Sequence, residues 1–190
     1  GEIMESHIGW YHNIMSLLRD WYLIQTAAVD PKARNKKFDD KLMGELIRFV
    51  AAHEVGHTLG LRHNMGASNA TPVEMLRNPE FQKKNGHTSS IMDYARFNYV
   101  AQPGDGVTDL FPRIGDYDKW AIKWGYSYFK GAADEKVEKA LLNEMTKDAY
   151  KNFLNPTSFV RYFFVLPFTY STMVTASSRS SCIAFKSIFT

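Results

Sequence analysis

His53-Glu54-Val55-Gly56-His57-Thr58-Leu59-Gly60-Leu61-Arg62-His63 is the stretch on which the reading of this chain turns. Histidines four residues apart lie on one helix face, so the imidazoles of His53 and His57 reach the same point in space. Upstream, Leu42, Leu46, Phe49 and Val50 recur at three- and four-residue spacing. That period predicts an amphipathic helix whose inner face runs into the two histidines. Gly60 stands where the helix should stop, in the left-handed conformation that glycine tolerates, and the reversal lets His63 close a triangle.

Three neutral imidazoles suit zinc, a borderline-soft cation that in catalytic sites keeps a fourth position for water. Such an ion lowers the pKa of that water from 15.7 to about 7 in well-studied zinc enzymes. Glu54, next to a ligand, is then expected beside the water, taking its proton and handing it to the leaving amine. The other reading is a closed structural zinc site. It would call for a fourth His or Cys nearby and would leave Glu54 without a task. The added glycine and third histidine at fixed spacing argue against a chance string.

The stretch resembles the extended zinc signature of the metzincin metalloendopeptidases, H-E-x-x-H-x-x-G-x-x-H followed by a Met-turn. Ser89-Ser90-Ile91-Met92-Asp93-Tyr94 has the form of that turn, in which a methionine packs beneath the zinc-binding histidines. The run from Ser90 to Asp105 is similar to a group of bacterial secreted zinc metalloproteases. The resemblance implies an α+β fold: a zincin core, mostly helical here, with an active-site helix, a Met-turn and at most a partial upper β-sheet. It implies Zn2+ held by His53, His57 and His63, Glu54 as general base and then acid, and Met92 as the floor of the site. It also implies a protein or peptide substrate and a secreted, periplasmic or cell-surface location. In some metzincins a tyrosine at the place of Tyr94 contacts the zinc or stabilises the tetrahedral intermediate. Asp93 stands where some of those families have histidine, so Tyr94 is either such a donor or an aromatic that packs beside the turn.

With 190 residues, a net charge of +3 and 45% apolar residues, the chain reads as one globular domain able to bury a core. No basic stripe points to nucleic acid. Cys182 is the single cysteine, which excludes an internal disulfide and a thiolate-rich metal site. No run of 18 apolar residues suggests a membrane span. The chain opens at Gly1 without a leader pattern and reads as a catalytic-domain fragment. The oligomeric state is open.

In chain order, residues 1–10 read as a strand or as a frayed terminus. In metzincins the strand at this place pairs with extended substrate. Ile14, Leu17, Leu18, Trp21, Ile24 and Ala28 predict a helix over 11–28, closed by Asp30-Pro31; His7 and His12 read as surface residues. Lys32, Arg34, Lys36 and Lys37 make 31–38 a solvated loop, and Asp39 or Asp40 should cap the metal-binding helix, which runs to Leu59. Thr71-Pro72-Val73-Glu74 has capping-box form and predicts one helix toward Lys84, ended by Asn85-Gly86; His87 follows as a loop residue. Asp105 and Asp109 lack the spacing of a calcium loop. Helices are expected over 116–125, with its tryptophans in the core, and over 131–152, with Val137, Leu141, Met145 and Ala149 as its buried stripe.

Residues 1–155 are therefore taken as the catalytic domain. Residues 156–190 contain Arg161, Arg179 and Lys186 but no acid, and read as a tail of non-native sequence such as a shifted frame. The rival to an endopeptidase is a zinc-holding structural module without catalysis, because the chain offers little sheet upstream of His53.

Overall fold

The computed structural model describes residues 3–129 and 135–153, so the expectation for the 156–190 tail lies outside the described residues. Helix α1 spans Ile14–Thr26, inside the predicted 11–28. Its inner face buries Leu18 and Tyr22. The Tyr22 hydroxyl donates to Asp30 at 2.7 Å, and burial together with that carboxylate raises its pKa well above the usual tyrosine value.

The expectation of a solvated loop over 31–38 needs correction. Asp30 accepts the Lys32 N–H at 2.9 Å and starts a 3-10 turn, Pro31–Arg34. Ala33 and Phe38 go into the core while Lys32, Arg34, Lys36 and Lys37 stay exposed. Four lysines and arginines dominate the composition of this segment. Its two apolar residues decide where it lies, because their burial is favourable and the long cationic stems reach water from either position.

Helix α2 spans Asp40–Thr58 and begins where Asp39 accepts the Leu42 N–H at 2.7 Å. Leu42, Leu46, Phe49 and His53 are its buried line. Leu46 is wholly buried, which is worth about 1.5–3 kcal/mol relative to exposure. Tyr22, Phe38, Phe49, Phe97 and Phe111 pack together in the core that α1 and α2 share, Tyr22 edge-on to Phe97 at 5.0 Å between centroids and tilted by 30° to Phe111. This cluster fixes the angle at which α2 carries its histidines.

The single helix expected from Pro72 toward Lys84 is two, α3 (Val73–Leu76) and α4 (Pro79–Asn85). Pro79 disfavours the helical region for the residue before it. Asn78 accordingly leaves the helix at φ −96°, ψ 114°, and its side chain caps the Phe81 N–H at 2.9 Å. The expected capping box at Thr71 does not form: Pro72 is the cap residue and no side chain bonds there. Helix α5 (Asp116–Tyr126) packs against α6 (Glu135–Phe153). Trp120 and Trp124 donate their indole N–H groups to the Met145 and Leu142 carbonyls. Of the stripe expected on α6, Met145 is half-buried but Val137 and Leu141 are exposed; Leu142 is half-buried in their place, and the Ala149 side chain lies outside the described residues.

No β-strand forms among the described residues, which are mostly helical. Residues 3–10 are irregular, so the strand expected there is not formed; a strand needs a partner for its N–H and C=O groups, and none stands beside it. No helix among the described residues is long and apolar enough to cross a membrane.

Candidate metal centre

Helix α2 ends in a Schellman motif. Gly60 has φ 86°, the Leu61 N–H reaches the Gly56 carbonyl and the Gly60 N–H reaches the His57 carbonyl, both at 3.0 Å. The turn then feeds back on the helix: the Leu61 carbonyl lies 2.9 Å from His57 Nδ1. On the other side, His53 Nδ1 lies 2.8 Å from the Ile91 carbonyl. A carbonyl only accepts, so both Nδ1 atoms carry the proton and both Nε2 atoms keep a free lone pair.

Those two nitrogens converge with Nε2 of the third histidine. His57 Nε2 and His63 Nε2 are 3.0 Å apart, and His63 Nε2 and His53 Nε2 are 3.2 Å apart. Nitrogens about 2.0–2.1 Å from a tetrahedral zinc stand roughly 3.3 Å from one another, so the spacing suits that ion. The donor chemistry agrees. A proton on His63 Nε2 serves one neighbour at a time, whereas a cation at the centre serves all three. Burial first, and then His57 and His53, hold the His63 pKa below the usual histidine value, which keeps its lone pair available. Among the described residues this is the one group of His, Cys, Asp or Glu side chains placed to hold a metal ion.

Met92 lies under the helix. It is 1% exposed, and a Cβ added to Gly56 would collide with its Sδ. Gly56 is thus required by close approach, a role the sequence reading missed. The signal was present: glycine inside a helix costs about 1 kcal/mol relative to alanine and calls for a reason. The Met92 carbonyl accepts the Asn64 N–H at 2.9 Å, fixing the residue after His63.

Asp118 is the other group the sequence did not single out, because an acid in the first turn of a helix reads as dipole compensation. It is 3% exposed. It accepts from Ser90 Oγ at 2.5 Å, the Ile91 N–H at 2.7 Å and the Gly115 N–H at 2.8 Å. Burial raises its pKa while these bonds oppose the rise. Asp93 is also structural, accepting the Ser68 N–H at 2.6 Å and the Thr88 hydroxyl at 3.3 Å.

Glu54 lies with His57, Thr58 and residues 6–9 around a cleft of about 300 Å³. Tyr94 is half exposed, its ring 4.3 Å from that of His63 and 5.7 Å from that of His53. His7 pairs with Glu5 on the surface. His87 is buried and lies outside the histidine cluster. Neither ring nitrogen of His87 finds a well-formed hydrogen bond, although backbone groups of Arg96 and Phe111 lie close enough to soften the effect of burial. Asp105 is held by Arg77 at 2.8 Å and Asp109 by Arg113, so both acids have partners in ion pairs.

A family model described as Met-zincin matches residues 35–155, which span α2, all three histidines, Met92 and the α5–α6 pair. No curated protein and no solved structure matches the chain. The match covers most of the chain and contains the three converging imidazoles, and on that ground the chain belongs to the Met-zincin family.

Proposed function

We propose that this chain is a zinc-dependent endopeptidase whose metal ligands are His53, His57 and His63. The observation that carries the reading is the convergence of three Nε2 atoms at 3.0 and 3.2 Å, with two tautomers fixed by backbone carbonyls. Zinc, when bound, supplies a Lewis acid that makes a water nucleophilic near neutrality and polarises a peptide carbonyl.

The chain's own residues do the rest. Glu54 faces the cleft, where its carboxylate takes the proton from the attacking water and passes it to the departing amine. No side-chain nucleophile is needed, so no acyl-enzyme is expected. Residues 6–9 line the same cleft, and in this reading they hold an extended peptide by its backbone. The Tyr94 hydroxyl is a candidate donor to the developing oxyanion. Met92 and its neighbours act as the Met-turn, a rigid floor that keeps the imidazoles aligned. Residues 1–155 form the catalytic unit in this reading, and the extracytoplasmic location implied by the resemblance belongs to the same proposal.

Glu54→Gln should keep zinc and lose nearly all turnover, whereas His57→Ala should lose both. The assay is hydrolysis of an unfolded protein with and without chelator, alongside metal content. A fully active Glu54→Gln variant overturns the assignment. One observation favours a second reading, a zinc-holding module without catalysis: no strand stands above the site among the described residues. Zinc bound at the three histidines with no chelator-sensitive cleavage would favour that module.

A further inference from the structure

We infer that Asp118, a buried carboxylate on α5, is a positioning residue that sets the orientation and donor strength of His53 through the Ile91 peptide. The inference rests on the metal reading above, and it concerns a residue outside the ligand set.

The geometry forms one chain of contacts. Asp118 Oδ2 accepts the Ile91 N–H at 2.7 Å, and the carbonyl of the same residue accepts from His53 Nδ1 at 2.8 Å. An acceptor on one side of a residue and a donor on the other restrain the rotations that would swing its carbonyl away. The bond to Ser90 Oγ removes the remaining freedom, because that oxygen in turn accepts the Met92 N–H at 3.0 Å. A negative charge behind the Ile91 backbone also strengthens its carbonyl as an acceptor, and an imidazole whose Nδ1–H is held by a better acceptor is a more basic ligand at Nε2.

Helix α5 is built to deliver this carboxylate. Gly115 lies so close to the Ser89 backbone that a Cβ would collide with it, and the Tyr117 N–H reaches the Ser89 carbonyl at 3.1 Å. At the other end of the helix the Tyr126 hydroxyl donates to the Leu59 carbonyl at 2.9 Å, on the cap of α2. Helix α5 therefore straddles the site, with one end on the floor and the other on the ligand helix. The His63 side is pinned from the same turn through Asn64 and Met92.

The probe is Co2+ alone, titrated into the full chain in competition with a chelator, with its visible spectrum as a report on geometry. A second readout, on metal-free protein, is the imidazole Nδ1–H signal of His53 in 15N NMR. Asp118→Ala should weaken cobalt binding by about 10- to 100-fold, the range for outer-shell partners of metal ligands. It should also speed exchange of the His53 Nδ1 proton. Asp118→Asn, whose Oδ1 still accepts both N–H groups, should restore most of each. If the alanine variant does not fold, Asp118→Glu keeps the charge, displaces it by one methylene and should weaken cobalt in the same direction. A folded Ala or Glu variant with wild-type cobalt affinity overturns the inference. So does lost affinity with an unchanged His53 signal, or an Asn variant no better than Ala. A wild-type chain that binds no cobalt sinks the metal reading instead, and the NMR comparison still decides the role of Asp118.

Discussion

Two glycines on α2 should respond to alanine with opposite signs, and the comparison tests the packing of Met92 against the helix that carries His53 and His57. Gly44 is exposed and has nothing within 4 Å of the position its Cβ would take. Gly44→Ala therefore expresses only helix propensity and should stabilise by about 1 kcal/mol. Gly56 receives the same propensity benefit, but its new methyl group runs into the Met92 sulfur, with the Leu61 methyl at 3.8 Å closing the space beside it. Met92 is almost wholly buried and has little room to retreat, so the overpacking cost of about 1–3 kcal/mol applies. Steric crowding outweighs the gain in propensity. Gly56→Ala should destabilise by roughly 1 kcal/mol net, placing the two variants about 2 kcal/mol apart. For a chain of this length a difference of 1 kcal/mol moves the melting temperature by about 2–4 °C, so thermal unfolding followed by circular dichroism resolves the pair. Met92→Ala supplies the control, since in that background Gly56→Ala should become stabilising like Gly44→Ala. If Gly56→Ala raises the melting temperature in the wild-type background, the close approach of Met92 to the helix is wrong, and so is the floor we place under the histidines.

His87 should make stability fall with acid. Its pKa is pushed down from 6.5 to about 4, chiefly by burial, so the folded state resists a proton that the unfolded chain accepts. Stability is unaffected above pH 6.5 and declines between there and pH 4, by about 3 kcal/mol in all relative to a His87→Gln variant. Urea unfolding across that range checks it, and parallel curves for the two proteins would refute it. Tyr94→Phe separates ring from hydroxyl. Metal affinity should persist through the aromatic packing on His63, while turnover on a peptide substrate drops if the hydroxyl donates in the transition state. Equal turnover assigns Tyr94 to packing alone.

Much of the site was legible because it is local. His53 and His57 share a helix face by the 3.6-residue period, Gly60 turns the chain, and Asp39 caps the helix, all within a few residues of backbone. Local periodicity also placed α1, α5 and the existence of α6. It failed where a single residue outweighed the composition around it. Pro79 split one expected helix in two, and Ala33 with Phe38 drew a lysine-rich segment onto the core. It failed again where a helix face is chosen by a neighbour: Met145 is half-buried as expected, but Leu142 is covered where Val137 and Leu141 were expected to be.

The sequence by itself determined the identity and spacing of three imidazoles and one carboxylate, because helix geometry converts spacing into direction without help from distant residues. Only the tertiary structure decided which nitrogen of His53 faces the centre. That choice depends on the Ile91 carbonyl, 38 positions away, and on an Asp118 carboxylate 27 further on. No periodicity in a chain reports a hydrogen bond between elements that meet only when the core has closed.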